Sequence, residues 1–208
     1  MRTRREFMGG AAALAGALGV SGAGDAPASE PFTLGVATYS LRGFNRFVAI
    51  SILTKKLHER YINIKDFHLA MGPASDVRKG REEFEKAGLV ILGGGTISFP
   101  TSDEADIRRR FEYAKNAGMP LIVAAPHQDV LPKLEKFVKE YDIKLAVHNH
   151  GPEDHEFPTP QSVLERIGGM DPRVGLCIDV GHTARTGKDV VQSCPALPFH
   201  VLCDMPSF

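Results

Sequence analysis

The sequence predicts a parallel α/β barrel of the (β/α)8 type, incomplete, with about six to seven of its strands present. Three observations lead there. First, residues 32–193 alternate short apolar runs with amphipathic stretches, and six such strand–helix units call for a parallel sheet with crossover helices. Second, polar residues gather at the carboxyl ends of nearly every run: Tyr39, Asp66 and His68, Thr96, His127, His148 and His150, Asp179 and His182. An open sheet concentrates its ligands at one switch point, whereas a barrel draws its site from many strand ends. Third, no glycine fingerprint of the dinucleotide type opens the first unit; Gly93-Gly94-Gly95 comes too late and lacks the GxGxxG spacing.

The elements follow in order. LGVATYS (34–40) reads as the first strand, and Phe47, Ile50, Leu53 and Leu57 as the face of the first helix. YINIKDF (61–67) is the second strand, with Asn63 and Lys65 alternating against Ile62 and Ile64. Lys65 is read as pointing outward from it. Ser75-Asp76 caps a charged helix that ends at Ala87-Gly88. LVILGGGTISF (89–99) is the third strand with its outgoing loop. Asp103 starts a helix carrying Ile107, Phe111 and Ala114 on one face and ending at Gly118. LIVAAPH (121–127) is the fourth strand; Val130, Leu134, Phe137, Val138 and Tyr141 mark the next helix at spacings of three and four. IKLAVHNH (143–150), a short helix from Pro160 to Ile167, and VGLCIDVGH (174–182) complete the series.

HNHGPEDHEF (148–157) after the fifth strand and GLCIDVGH (175–182) on the sixth together resemble the sugar phosphate isomerase/epimerase branch of the xylose-isomerase-like TIM barrels. YINIKDFHL (61–69) and GGGTISF (93–99) are similar to that family's second and third strand ends, so the resemblance spans roughly residues 32–193. It implies one divalent metal (manganese, magnesium, cobalt or zinc) at the carboxyl face, and a sugar substrate whose carbonyl and neighbouring hydroxyl the metal polarises. Proton transfer through an enediolate then gives isomerisation or epimerisation.

Residue by residue, the resemblance makes Asp179 the strand-six metal ligand. Its place in a Leu-Cys-Ile run supports this, because an unpaired carboxylate there is costly. His182 matches a position that contacts substrate and takes part in catalysis. The strand-five ligand stays open: Glu156, which would also be catalytic, His148, which occupies the strand position itself, His150, or Glu153. His68, His127 and His150 are expected to line the substrate pocket. His200, in a stretch that echoes a seventh strand, is a further metal candidate.

The two ends of the chain read differently. Thr3-Arg4-Arg5-Glu6-Phe7-Met8 resembles the twin-arginine export signal, an Ala- and Gly-rich stretch follows, and Ala26-Pro27-Ala28 fits a cleavage site. Residues 1–28 are therefore expected to engage the Tat translocase and deliver a folded, periplasmic protein. In residues 194–208, Pro195 and Pro198 stop the helix the family pattern requires, and the eighth strand with its Glu is missing. That tail reads as aberrant or truncated.

Composition narrows the partners. Lys plus Arg and Asp plus Glu both number 25, so no basic excess exists to neutralise a phosphate backbone. No apolar run reaches the roughly 18–20 residues of a membrane span. Cys177, Cys194 and Cys203 form no CxxC pair, and Cys177 reads as a small buried hydrophobe. The expected function is thus a metal-dependent sugar isomerase or epimerase, with a homo-oligomer left open. An inactive truncated barrel that binds sugar weakly is the alternative, and an endonuclease IV-like DNA repair enzyme fits the charge and export signal less well.

Overall fold

The computed structural model of the protein describes residues 33–193 and the backbone of residues 200–203. The export segment, residues 1–28, and the remainder of the 194–208 tail lie outside the described residues.

Seven strands form one sheet in the order β1-β2-β3-β4-β5-β6-β7. They are β1 (Val36–Ala37), β2 (Tyr61–Ile64), β3 (Val90–Phe99), β4 (Leu121–Pro126), β5 (Lys144–His148), β6 (Val174–Asp179) and β7 (His200–Cys203). Every neighbouring pair is parallel. Strictly sequential parallel order is the progression of a barrel; a doubly wound sheet would reverse its order at a switch point. Helices α1 (Arg46–Lys55), α2 (Ala74–Lys86), α3 (Glu104–Asn116), α4 (Leu131–Tyr141) and α5 (Pro160–Ile167) make the crossovers, and a short α6 (Val180–Arg185) follows β6.

Strand alternation sorts the side chains into two layers. Ile62, Ile64, Phe99, Ile122, Leu145, Val147, Leu176 and Ile178 join helix residues such as Phe84, Phe111, Phe137 and Val163 in the main core. The opposite face carries a small cluster of Val123, Ala146 and Cys177, with Leu121 against it. Cys177 is fully buried there, as its apolar surroundings predict. Gly95 illustrates how tightly β3 and β4 approach: its φ is +130°, and a Cβ would run into the Val123 carbonyl.

Strands β2 and β5 end earlier than the sequence reading, at Ile64 and His148, and three further boundaries differ for a local reason. The first strand shortens to two residues and turns into a 3-10 segment, Thr38–Leu41. There the buried Thr38 hydroxyl accepts from the Lys65 N–H at 2.8 Å, taking the place of a ladder bond. Helix α2 starts at Ala74 without a side-chain cap, so Asp76 lies in its first turn, where it favours the helix dipole. Strand β6 stops at Asp179, because that carboxylate caps α6 by accepting from the His182 N–H.

Candidate active site

Two sequence periods build the site. In His148-Asn149-His150 a spacing of two sends both imidazoles to the same side, and their ring centroids stand 4.4 Å apart. In Asp179-Val180-Gly181-His182 the strand gives way to one helical turn, which brings His182 back over the strand end. Its ring lies 6.0 Å from that of His148 and 5.9 Å from that of His150. Parallel pairing sets His148 beside Cys177, so Asp179 is the next residue along on the same face. The outcome is His148 Nε2 at 3.5 Å from Asp179 Oδ2, both side chains buried.

Asp179 is held from three sides. Its Oδ1 accepts from the His182 N–H at 2.6 Å. Its own N–H donates to Asn149 Oδ1 at 2.9 Å, and its carbonyl accepts from the Thr183 hydroxyl at 2.6 Å. Asn149 Nδ2 donates to Thr183 Oγ1 at 3.2 Å, closing a buried ring of hydrogen bonds. Gly151 abuts His182: its φ is +91°, and a Cβ there would lie 3.1 Å from His182 Nδ1. Arg185 donates to that same Nδ1 at 3.0 Å and pairs with Glu153.

The electrostatics favour neutral imidazoles. Burial, reinforced by neighbouring His148, lowers the pKa of His150 to about 4, with Asp154 pulling the other way. Burial also lowers that of His182, against the opposing pull of Asp179. Burial works to raise the Asp179 pKa, but His148 and the His182 N–H outweigh it and hold the carboxyl below its ordinary range. Near neutral pH His150 and His182 are thus neutral rings beside the Asp179 carboxylate, the protonation state in which such groups bind metal or accept protons.

Asp179 Oδ2 is buried with no hydrogen-bond donor. Its 3.5 Å separation from His148 Nε2 resembles the spacing of two donors on one ion, since donors ~2.1 Å from a tetrahedral metal stand about 3.4 Å apart. The two residues therefore fit half of a ligand set. Among the described residues, no group of three His, Cys, Asp or Glu side chains is arranged to hold a metal.

The other predicted residues divide. His127, His150 and Glu156 line one hollow of about 290 Å³, together with Asp154, Pro126 and Phe157. Glu156 Oε2 accepts from the Gln128 N–H at 2.8 Å, fastening the loop after β5 to that after β4. Glu153 is occupied by Arg185. His68 stands apart as well, buried with Nε2 3.0 Å from the Phe44 carbonyl and its ring edge against Phe67. His200 pairs by backbone register with Leu176, while Asp179 pairs with Cys203. His200 thus begins three residues, roughly 10 Å of strand, short of the Asp179 level; its side chain lies outside the described part.

Lys65 departs from its outward reading. It shares the Asn63 side of β2, is half-buried, and donates from Nζ to the Thr96 carbonyl at 3.0 Å. Burial lowers its pKa, with Asp66 opposing. A larger hollow of about 410 Å³ lies between Asp66, Thr96, Arg110 and Tyr113. It contains none of the clustered histidines, so the chemistry assigns the smaller one. Sequence reasoning did not single out Asn149, Thr183, Asp154 or Arg185. Asn149 could have been suspected as a polar residue at a core-facing strand position, and Arg185 from its one-turn spacing to His182.

The described fold and site define an α/β barrel-type protein with a His/Asp cluster at the carboxyl ends of β5 and β6. No protein-family model matches the sequence, and no curated protein does. Solved structures do match. An uncharacterized protein from Parabacteroides distasonis aligns with TM-score 0.62 and 23% identity over 76% of this chain and 68% of that one. A D-psicose 3-epimerase aligns with TM-score 0.65 and 14% identity, over 81% and 72% respectively. A probable 3-DHS dehydratase from Bacillus anthracis aligns with TM-score 0.59 and 16% identity, over 78% and 68%. The chain has the fold of the xylose isomerase-like barrels, as the strand-five and strand-six motifs imply.

Proposed function

We propose that the protein is an isomerase or epimerase of a sugar or sugar derivative, working by proton transfer through an enediolate. The observation that carries this reading is the convergence of His148, His150, His182 and Asp179 at the ends of β5 and β6. The adjoining hollow of about 290 Å³ has the size and mixed polar and apolar lining that suit a small polyol.

His150 sits on that hollow as a neutral imidazole, able to take a proton from the carbon beside a carbonyl. His182, with its ring 5.9 Å from that of His150, would bind a substrate oxygen, and His127 and Glu156 form the outer wall of the hollow. Asp179 and His148 would hold a divalent metal, with further ligands from outside this cluster. Such an ion supplies Lewis-acid polarisation of the sugar carbonyl when bound. Balanced total charge supports a small-molecule substrate over DNA.

The test is solvent exchange. Full-length protein, prepared with and without manganese, magnesium, cobalt or zinc, is incubated with a panel of ketoses and aldoses in deuterium oxide. Deuterium entering the carbon beside the carbonyl, with new sugar signals by NMR, is expected. Absence of exchange across the panel under every metal condition would overturn the reading in favour of an inactive barrel. Nicking of an abasic-site plasmid would favour the endonuclease instead.

A further inference from the structure

We infer that Lys65 binds a carboxylate of the substrate on the inner wall of the barrel, and that the sugar derivative is a sugar acid of the uronic or keto-aldonic type. This deepens the isomerase reading and rests on it for the sugar part of the ligand.

Strand alternation defines the wall. Ile62 and Ile64 belong to the main core against the helices, so Asn63 and Lys65 lie on the opposite face, the one that carries Val123, Ala146 and Cys177. His148 follows Ala146 on that face, and Asp179 follows Cys177. Register sets the level. Ile64, Gly94, Ile122, Leu145 and Val174 pair in one row, which puts Lys65 level with Gly175. The strand ends climb away from that row. Strand β1 ends at Ala37, paired with Asn63 one residue below it, and β6 runs to Asp179, five residues above Val174. Such a climb is the stagger of a (β/α)8 barrel, roughly one residue per strand. Four strands on from β2, it moves the counterpart of Lys65 from Gly175 up to Asp179. In a barrel of this kind strands two and six are opposing walls, and the interior is just wide enough for side chains to fill. Lys65 and the His148–Asp179 pair therefore face one space from opposite sides.

The surroundings of Lys65 call for an anion. Its backbone is fixed, because its N–H donates to the buried Thr38 hydroxyl at 2.8 Å. The side chain is half-buried; Nζ gives one of its three protons to the Thr96 carbonyl at 3.0 Å and makes no ion pair among the described residues. A lysine drawn into the protein is ordinarily paired. Burial lowers its pKa against the pull of Asp66, and an anion on the ammonium would reverse that shift. Asn63 beside it, and Val123 and Ala146 along the row, bring no negative charge, while Asp179 faces His148 and accepts from the His182 N–H. Any sugar hydroxyl can accept from this ammonium, but only an anion offsets its charge. One ammonium balances one carboxylate. The second charge of a phosphate would be opposed by exposed Asp66, the next residue in the chain. A sugar acid held this way presents its carboxylate to Lys65 and its carbonyl end to the histidines.

The experiment is calorimetric titration of the full-length protein with uronic and keto-aldonic acids, the matched neutral sugars and the matched sugar phosphates. The acids are expected to bind at least about tenfold tighter than the neutral sugars, the weight of one charge-assisted hydrogen bond. Lys65→Met, which keeps the length of the stem, should abolish that ratio, and Lys65→Arg should keep most of it. Lys65→Gln serves as a second uncharged variant, and circular dichroism checks that each is folded. Equal affinity for acid and neutral sugar, a ratio that survives in folded Lys65→Met or Lys65→Gln, or tighter binding of the phosphates would overturn the inference. Acid binding that depends on Lys65 in a protein that exchanges no sugar hydrogen would uphold it and remove the isomerase reading. Hydrogen exchange on neutral sugars with no preference for acids would do the reverse.

Discussion

Asn149→Ala tests whether the site is held by the ring of hydrogen bonds beneath it. Asn149 is fully buried, and its Oδ1 is the acceptor for the buried Asp179 N–H at 2.9 Å. Its Nδ2 also donates to Thr183 Oγ1. Alanine leaves the Asp179 N–H without that acceptor, a loss of about 1–3 kcal/mol for a buried donor. The missing side-chain volume adds a small cavity, so a total of roughly 2–4 kcal/mol is expected. For a domain of this size that corresponds to a fall in melting temperature of about 4–16 °C. Thermal unfolding by circular dichroism reads it, with Thr183→Val and the double variant completing a cycle. Because both side chains serve one network, the double variant should lose less than the sum of the singles. A loss below about 0.5 kcal/mol for Asn149→Ala, the range of ordinary surface changes, would refute the idea that this ring positions Asp179.

Asp179→Asn should lower divalent-metal affinity at least about tenfold by calorimetry, given its buried Oδ2 facing His148; unchanged affinity would make the residue structural. Replacing Arg4 and Arg5 with Lys should leave the chain unprocessed in the cytoplasm, read by fractionation and mass spectrometry, while normal periplasmic delivery would count against twin-arginine export. Stability should decline on acidification. His150 has a folded pKa of about 4 against an ordinary 6.5, so its contribution is present above 6.5 and is lost as pH falls through 4. That contribution is on the order of 2–3 kcal/mol, and the depressed Asp179 carboxyl acts in the same direction. Urea midpoints measured across that window check it, and His150→Gln should flatten the slope.

The fold was legible because it depends on patterns that survive in a single sequence. Alternating runs such as Ile62 and Ile64 against Asn63 and Lys65, and LIVAAP against LPKLEKFV, fix strand and helix without knowledge of their neighbours. The absent dinucleotide fingerprint and the polar strand ends then separated barrel from open sheet. The core of the site was legible for the same reason: His-x-His at a strand end and Asp-x-x-His across a strand–helix junction each carry a geometric period.

What escaped depends on tertiary contacts that no period encodes. PEDHE reads as a turn rich in candidate ligands, and the sequence does not say that Glu156 reaches back to the Gln128 N–H, Asp154 to His150 and Glu153 to Arg185. His68 has a place at a strand end much like that of His127, yet one is sealed beneath Phe44 and Phe67 while the other borders a hollow. Their difference arises from the loop after β1, which folds over the end of β2. In this chain, then, residues on the strands could be placed from spacing alone, whereas each loop carboxylate takes its position from the partner it finds. The distinction explains why one loop supplies both the groups that fasten it and the carboxylate that pairs with His150.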